Sequence, residues 1–150
     1  METPASPNPK QNRILAGLAT NEFARLQDDL ELVNLKLGAE LCDAGDTMDY
    51  VYFPITCIVS LTFTTRTGAS VELAMIGNEG LVGMPLVLGG ATTNHRVVVQ
   101  SPGAAYRLKV EVIRWELDQG GILQHLALRH AQALMTQMAQ SVVCNRHHAI

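Results

Sequence analysis

The sequence predicts a mainly β fold, an antiparallel sandwich or barrel with helices at either end, and three observations carry that prediction. Alternating apolar and polar residues fill the middle of the chain, turn-forming residues interrupt them at short intervals, and apolar residues at helical spacings occupy both flanks. With 150 residues, 47% of them apolar and 17% charged, the chain can bury one sizeable core. Three blocks are expected: an arm over residues 1–12, a β-rich domain over 13–120 and a helix over 121–150.

The arm, METPASPNPKQN, has three prolines in its first nine residues and no apolar run, so disorder is expected there. Behind it, Ile14, Leu15, Leu18, Phe23, Leu26 and Leu30 recur at helical spacings, and Thr20 is placed to cap the second of two short helices. From about Val33 the period shortens to two. In IVSLTFTT, Val59, Leu61 and Phe63 alternate with Ser60, Thr62 and Thr64; in SVELAMI, Val71, Leu73 and Met75 alternate with polar neighbours. These six apolar residues are expected to line the interior. DAGD (43–46), RTG (66–68) and SPG (101–103) supply turns, and HRVVVQ and AAYRLKV add two further β-rich runs.

The 29 residues from Ile122 to Ile150 contain neither proline nor glycine and read as one long helix. Leu128, Ala131, Met135, Met138, Val142 and Asn145 lie 3, 4, 3, 4 and 3 apart, the spacing of a coiled-coil seam, with His125, Arg129, Gln132, Thr136 and Gln140 on the opposite face. A homodimer through this helix is expected, with Leu123, Leu126 and Leu134 at the edge of the stripe against the barrel. The alternative is that the whole stripe packs on the barrel, since two heptads are short for a coiled coil.

Composition removes several function classes. A net charge of −3 and a pI near 5.9 offer no basic face for a row of phosphates, so this chain is not expected to bind DNA by itself. Cys42, Cys57 and Cys144 are odd in number and lack Cys-x-x-Cys spacing, which points to a reducing compartment, the cytoplasm. No apolar run reaches the roughly 20 residues a membrane span needs, and prolines interrupt the N-terminus where a signal peptide would be apolar. His95 stands alone, without the His-x-His and carboxylate cluster of a cupin enzyme, and Cys144, His147 and His148 are too close to the terminus to suggest a ligand set. Cys57, His95 and His130 are the available axial ligands for a haem, and no spacing selects one of them. Ser60, Ser70, Ser101 and Ser141 lie outside any nucleophile-elbow pattern. No enzyme, no metal and no cofactor are expected.

The segment GNEGLVGMPLVLGG, residues 77–90, places five glycines in fourteen residues, and either a phosphate cradle or a plain turn would use them. Gly77 and Asn78 read as a hairpin turn. This segment belongs to a longer stretch, DYVYFPITCIVSLTFTTRTGASVELAMIGNEGLVG, which together with ALMTQMAQSVVCNRHH resembles the Crp/Fnr family of bacterial transcription regulators. The likeness runs from about Leu15 to the C-terminus. It implies a jelly roll of the cyclic-nucleotide-binding type, eight strands or so between about Leu32 and Lys109, then a dimerisation helix, then a winged helix-turn-helix that binds DNA. The last part is missing from this sequence, so a fragment ending just before the hinge is expected, with DNA reached only through the absent domain. The N-terminal cysteine cluster of the family's iron–sulfur oxygen sensors is also missing.

By the same resemblance, residues 77–90 occupy the place of the family's phosphate-binding cassette. There a Gly-Glu pair holds the ribose 2′-hydroxyl, and a later Arg-Ser/Thr-Ala holds the cyclic phosphate. Here Gly83 is followed by Met84, which accepts no hydroxyl proton, and by Pro85, which has no N–H for an anion. Arg96 is followed by Val97 and Val98 where the family has hydroxyl and alanine. Arg96 is therefore read either as a barrel arginine paired with Glu72 or Glu79, or as half of an anion site. The resemblance implies a module that senses an unknown small-molecule effector and couples it to the geometry of a helix pair. A ligand-free dimerisation scaffold and, third, a cupin-like enzyme are the alternatives.

Overall fold

Two sheets form because the middle of the chain alternates, and each sheet turns one apolar face toward the other. The structure, a computed structural model, describes residues 6–83 and 95–148, without the side chains of Val142 and 144–148. A 3₁₀ turn, Pro9–Gln11, leads into helices α1 (Arg13–Ala16) and α2 (Thr20–Gln27). Seven named strands follow: β1 (Glu31–Leu35), β2 (Glu40–Cys42), β3 (Tyr50–Pro54), β4 (Ile58–Thr64), β5 (Ser70–Ile76), β6 (Arg96–Ser101) and β7 (Gly103–Lys109). Helices α3 (Val110–Asp118) and α4 (Ile122–His148) close the chain. One sheet has the order β1-β7-β3 and the other β2-β6-β4-β5, with every pairing antiparallel. This is the jelly-roll-like β domain with flanking helices and a long C-terminal helix that the sequence predicts.

The core lies between the sheets and under the helices. Val51 and Phe53 from β3, Val59 from β4, Ile76 from β5 and Leu108 from β7 are almost fully buried, and Leu15, Leu26, Ile113 and Leu123 carry the same core into the helices. The interior expected of β5 needs a correction. Leu61 pairs with Ala74 but Thr62 pairs with Glu72, so Leu73 is an extra residue in the strand. That bulge shifts the parity: Ala74 and Ile76 enter the core, Met75 faces outward, and Val71 and Leu73 are half-buried. Phe63, beyond the same irregularity, is exposed as well.

β5 is the edge strand of its sheet, and α4 covers that edge. Gln137 accepts from the Met75 N–H at 2.7 Å and its amide lies 3.5 Å from the Met75 carbonyl, while the Ser141 hydroxyl donates to the Leu73 carbonyl at 2.9 Å. Side chains of the helix thus complete the backbone bonds a further strand would have made.

The N-terminal segment is more ordered than its composition predicts. Asn8 caps the 3₁₀ turn, the Tyr106 hydroxyl donates to the Pro7 carbonyl, and Asn12 is 0% exposed. Asn12 Oδ1 caps α1 by accepting from Ile14 and Leu15, and its Nδ2 donates to the carbonyls of Pro54 at 3.0 Å and Gly80 at 2.9 Å. Residues 8–12 are therefore part of the folded body; residues 1–5 of the expected arm lie outside the described residues. The predicted Thr20 cap is also corrected: Thr20 is the first residue of α2, behind Ala19, which makes no side-chain cap bond. The neighbouring residue that caps is Glu22, buried, whose carboxylate accepts from the N–H groups of Ile122 at 3.1 Å and Leu123 at 3.0 Å at the start of α4.

Candidate functional site

The glycine-rich segment begins as a turn. The Gly80 N–H donates to the Gly77 carbonyl at 3.2 Å, and Glu79 folds back so that its Oε1 accepts from the Gly77 N–H at 3.1 Å. The turn does not close a hairpin, as the sequence suggested; it carries the chain across to β3, where Val82 and Tyr52 exchange both backbone bonds. Gly83 has φ +116, and a Cβ there would sit 2.9 Å from Val51 Cγ1, so both backbone conformation and space require glycine. Met84 and Pro85, the residues on which the ribose argument rests, lie outside the described residues.

Arg96 pairs with carboxylates on and just after β2. Its fork meets Glu40, Nε to Oε1 at 3.2 Å and Nη2 to Oε2 at 3.4 Å, with Asp43 at 3.9 Å. Neither partner foreseen from the sequence is used: Glu72 accepts from the Ser60 hydroxyl at 3.1 Å, and Glu79 serves Gly77. The reason is topological, since β6 pairs with β2, which carries Glu40, on one side and β4 on the other. Hydrogen bonding to Glu40 and its charge raise the Arg96 pKa. Val97, buried, packs in the roll opposite Leu61 and Cys42.

The long helix touches the glycine-rich turn through His130, which the sequence offered only as one of three possible haem ligands. His130 lies over Gly80, where a Cβ would come within 2.1 Å of the ring, and its Nε2 is 3.3 Å from the Leu81 nitrogen and 3.0 Å from the Leu81 oxygen. The neutral ring accepts from one or donates to the other according to its tautomer. Desolvation by burial lowers its pKa, against opposing contributions from the Leu81 bond and the Glu79 charge. Burial likewise lowers the His95 pKa and raises that of the Cys57 thiol. Among the described residues no group of three or more His, Cys, Asp or Glu could hold a metal ion.

The seam positions divide between two environments. Leu128 and Met135 are 53% and 63% exposed, whereas Ala131 is buried and Met138 half-buried against the domain's own core. Val142 and Asn145, like Cys144, His147 and His148, have side chains outside the described residues. Leu123 and Leu134 are buried against the core and Leu126 packs beside them, while the predicted polar face, His125, Arg129, Gln132, Thr136 and Gln140, is exposed.

The sequence profile of the cyclic nucleotide-binding domain matches residues 32–120. The chain belongs to that family. Comparison with curated proteins finds no match. Among solved structures, this cyclic nucleotide-binding domain is similar to the regulatory subunit of a cAMP-independent protein kinase A from Trypanosoma brucei (TM-score 0.70, 18% identity), covering 83% of this chain and 44% of that one. The chain thus spans less than half of that subunit. It is also similar to the sensor domain of the transcriptional regulator DNR from Pseudomonas aeruginosa (TM-score 0.64, 18% identity, 89% of this chain and 87% of that one). A third likeness is the N-terminal domain of a transcriptional regulator from Streptomyces coelicolor (TM-score 0.60, 20% identity, 95% and 94%). Identities this low establish a shared fold. No helix among the described residues of the cyclic nucleotide-binding domain is long and apolar enough to cross a membrane.

Proposed function

We propose that this domain is the effector-sensing and dimerisation part of a Crp/Fnr-type bacterial transcription regulator, acting in the cytoplasm and reaching DNA only through a helix-turn-helix outside this sequence. The observation that carries the reading is the two-sidedness of α4. One face is bonded to the roll through His130, Gln137 and Ser141, and the other presents Leu128 and Met135, seven residues apart, to solvent. A second copy laid parallel would cover those side chains, with Val142 and Asn145 continuing the seam. The matched sensor and N-terminal regulator domains support the same role, which is regulatory rather than catalytic.

In this reading the cassette survives as a fold element with altered chemistry. Arg96 is committed to Glu40 and Val97 to the core, and Met84 and Pro85 lack the acceptor and donor that a cyclic nucleotide uses. The fold does not by itself imply regulation by cAMP, since the Trypanosoma subunit of like fold belongs to a kinase described as cAMP-independent. An effector instead shifts the population between two helix-pair arrangements by binding one of them more tightly. The commitment of Arg96 equally suits the second reading, a dimerisation scaffold without a ligand.

Light scattering tests the assembly. The unmutated chain should be a dimer at tens of micromolar, and a Leu128→Glu, Met135→Glu double variant a folded monomer, because like charges would face one another across the seam. A monomeric unmutated chain, or a dimeric double variant, would remove the reading's main support. Both exposed positions suit the test better than Met138, which packs on the core. Titration calorimetry tests the chemistry: neither cAMP nor cGMP should bind at micromolar concentration, each lost contact costing ~1–3 kcal/mol.

A further inference from the structure

A concavity lies outside the roll, between α1, the Gly77–Gly80 turn and α4. It has a volume of about 250 Å³ and is lined by Arg13, Ile14, Glu79, Leu126, Arg129, His130 and Ala133. Two features set it apart from an ordinary surface dent. Arg13 and Arg129 reach it from separate helices, and neither has an ion-pair or side-chain hydrogen-bond partner among the described residues. Three arginines elsewhere are engaged, Arg25 with Glu116, Arg96 with Glu40 and Arg107 with Glu31. The one carboxylate in the lining, Glu79, is held back on the Gly77 N–H, so the charged lining groups are two guanidinium ions against one carboxylate. Ile14, Leu126 and Ala133 supply an apolar wall beside this charge.

We infer that this pocket binds a small organic anion, a carboxylate or phosphate monoester with an apolar body, held by Arg13 and Arg129. Guanidinium forks match both head groups in geometry and charge. The volume lies below the roughly 300–1,000 Å³ of sites for drug-sized ligands, which restricts the body to about one ring or a short chain. The occupant would touch the glycine-rich turn and α4 together, next to the His130 contact with Leu81, and so would clamp the long helix to the roll. That consequence rests on the regulatory reading; the binding itself does not.

The test uses the full chain with phenyl phosphate, benzoate and inorganic phosphate, titrated by calorimetry at constant ionic strength, while NMR follows the His130 ring. Phenyl phosphate, benzoate or both should bind saturably and shift the ring resonances in step with the heat. Arg13→Gln and Arg129→Gln should each weaken binding about tenfold or more, and Arg96→Gln should leave it unchanged. Both arginines are exposed, so the variants should keep the parent unfolding temperature, which is measured alongside. No saturable binding of either organic probe up to about 10 mM overturns the proposal. So do binding unmoved by the Arg13 and Arg129 variants, a silent His130 ring at saturation, and inorganic phosphate binding as tightly as phenyl phosphate. Dimerisation, read separately by light scattering, is unaffected by any of these results.

Discussion

Asn12 should be the most costly single polar side chain to remove from the N-terminal segment. It is fully enclosed, and its amide makes four bonds: two accepted from the start of α1 and two donated to the carbonyls of Pro54 and Gly80. Asn12→Ala removes a helix cap, worth ~1 kcal/mol. It also strips the donor from two carbonyls of buried residues, at ~1 kcal/mol each at the low end of the range for unsatisfied groups. The expected loss is therefore about 3 kcal/mol, or roughly 1–3 M in the urea midpoint for ordinary denaturant slopes. Asn12→Asp is the sharper probe, because it keeps the cap and turns the donor into a second oxygen facing two carbonyl oxygens. Burial and that repulsion raise the new carboxyl's folded pKa above the unfolded value near 4, so the folded state holds the proton longer and stability falls as pH rises between the two. At pH 7 Asn12→Asp should be less stable than Asn12→Ala, and the order should reverse on acidification. Chemical denaturation at two pH values measures both. If Asn12→Ala costs less than about 0.5 kcal/mol, or Asn12→Asp shows no pH dependence beyond the parent's, then Nδ2 does not tie α1 to the roll.

Three further outcomes follow from the contacts of α2 and α4. Gly80→Ala should cost ~1–3 kcal/mol by driving a methyl into the His130 ring, and much less in a His130→Ala background, so a double-mutant cycle should give clear coupling. Stability should decline as pH falls below about 6.5, since burial depresses the folded pKa of His130 and His95 and the unfolded chain then binds more protons; His130→Gln should flatten that slope in urea melts. Glu22→Ala leaves two N–H groups at the start of α4 without their acceptor and should cost ~2–3 kcal/mol, with hydrogen exchange accelerated at Ile122 and Leu123.

Much of the fold was legible because single residues could be assigned to faces. Val59 and Leu61 alternate with polar neighbours and enter the core, and the gap-free run after Gly121 became α4. What escaped were features set by pairing rather than by pattern. The bulge at Leu73 exchanges Met75 for Ala74 and Ile76 in the core, and no local periodicity encodes which residue of a strand will be extra. Arg96 found Glu40 because β2 and β6 are neighbours, although 56 positions separate the two residues in sequence. Asn12 looked like part of a proline-rich tail; only its four long- and short-range bonds reveal its place. Of the candidate site, the glycine requirement at Gly83 and the exposure of Leu128 and Met135 could be anticipated. The burial of Ala131 and the His130 contact could not, since both depend on how α4 is rotated against β5.

The bonds made by Asn12 and Glu22 also redraw the limits of the unit that can fold. The family match spans residues 32–120, yet the ends of its architecture are fastened by groups outside that span: Asn12 holds Pro54 and Gly80, Glu22 seats the first turn of α4, and Leu123, Ala127 and Leu134 roof the interior. A homologous stretch excised at the profile's borders would lose its lid and its fastenings together and expose the side chains beneath. What evolution reuses as a recognisable sequence segment is thus smaller than what physics requires as a cooperative body, and a swap of such domains between proteins has to carry both flanking helical regions along.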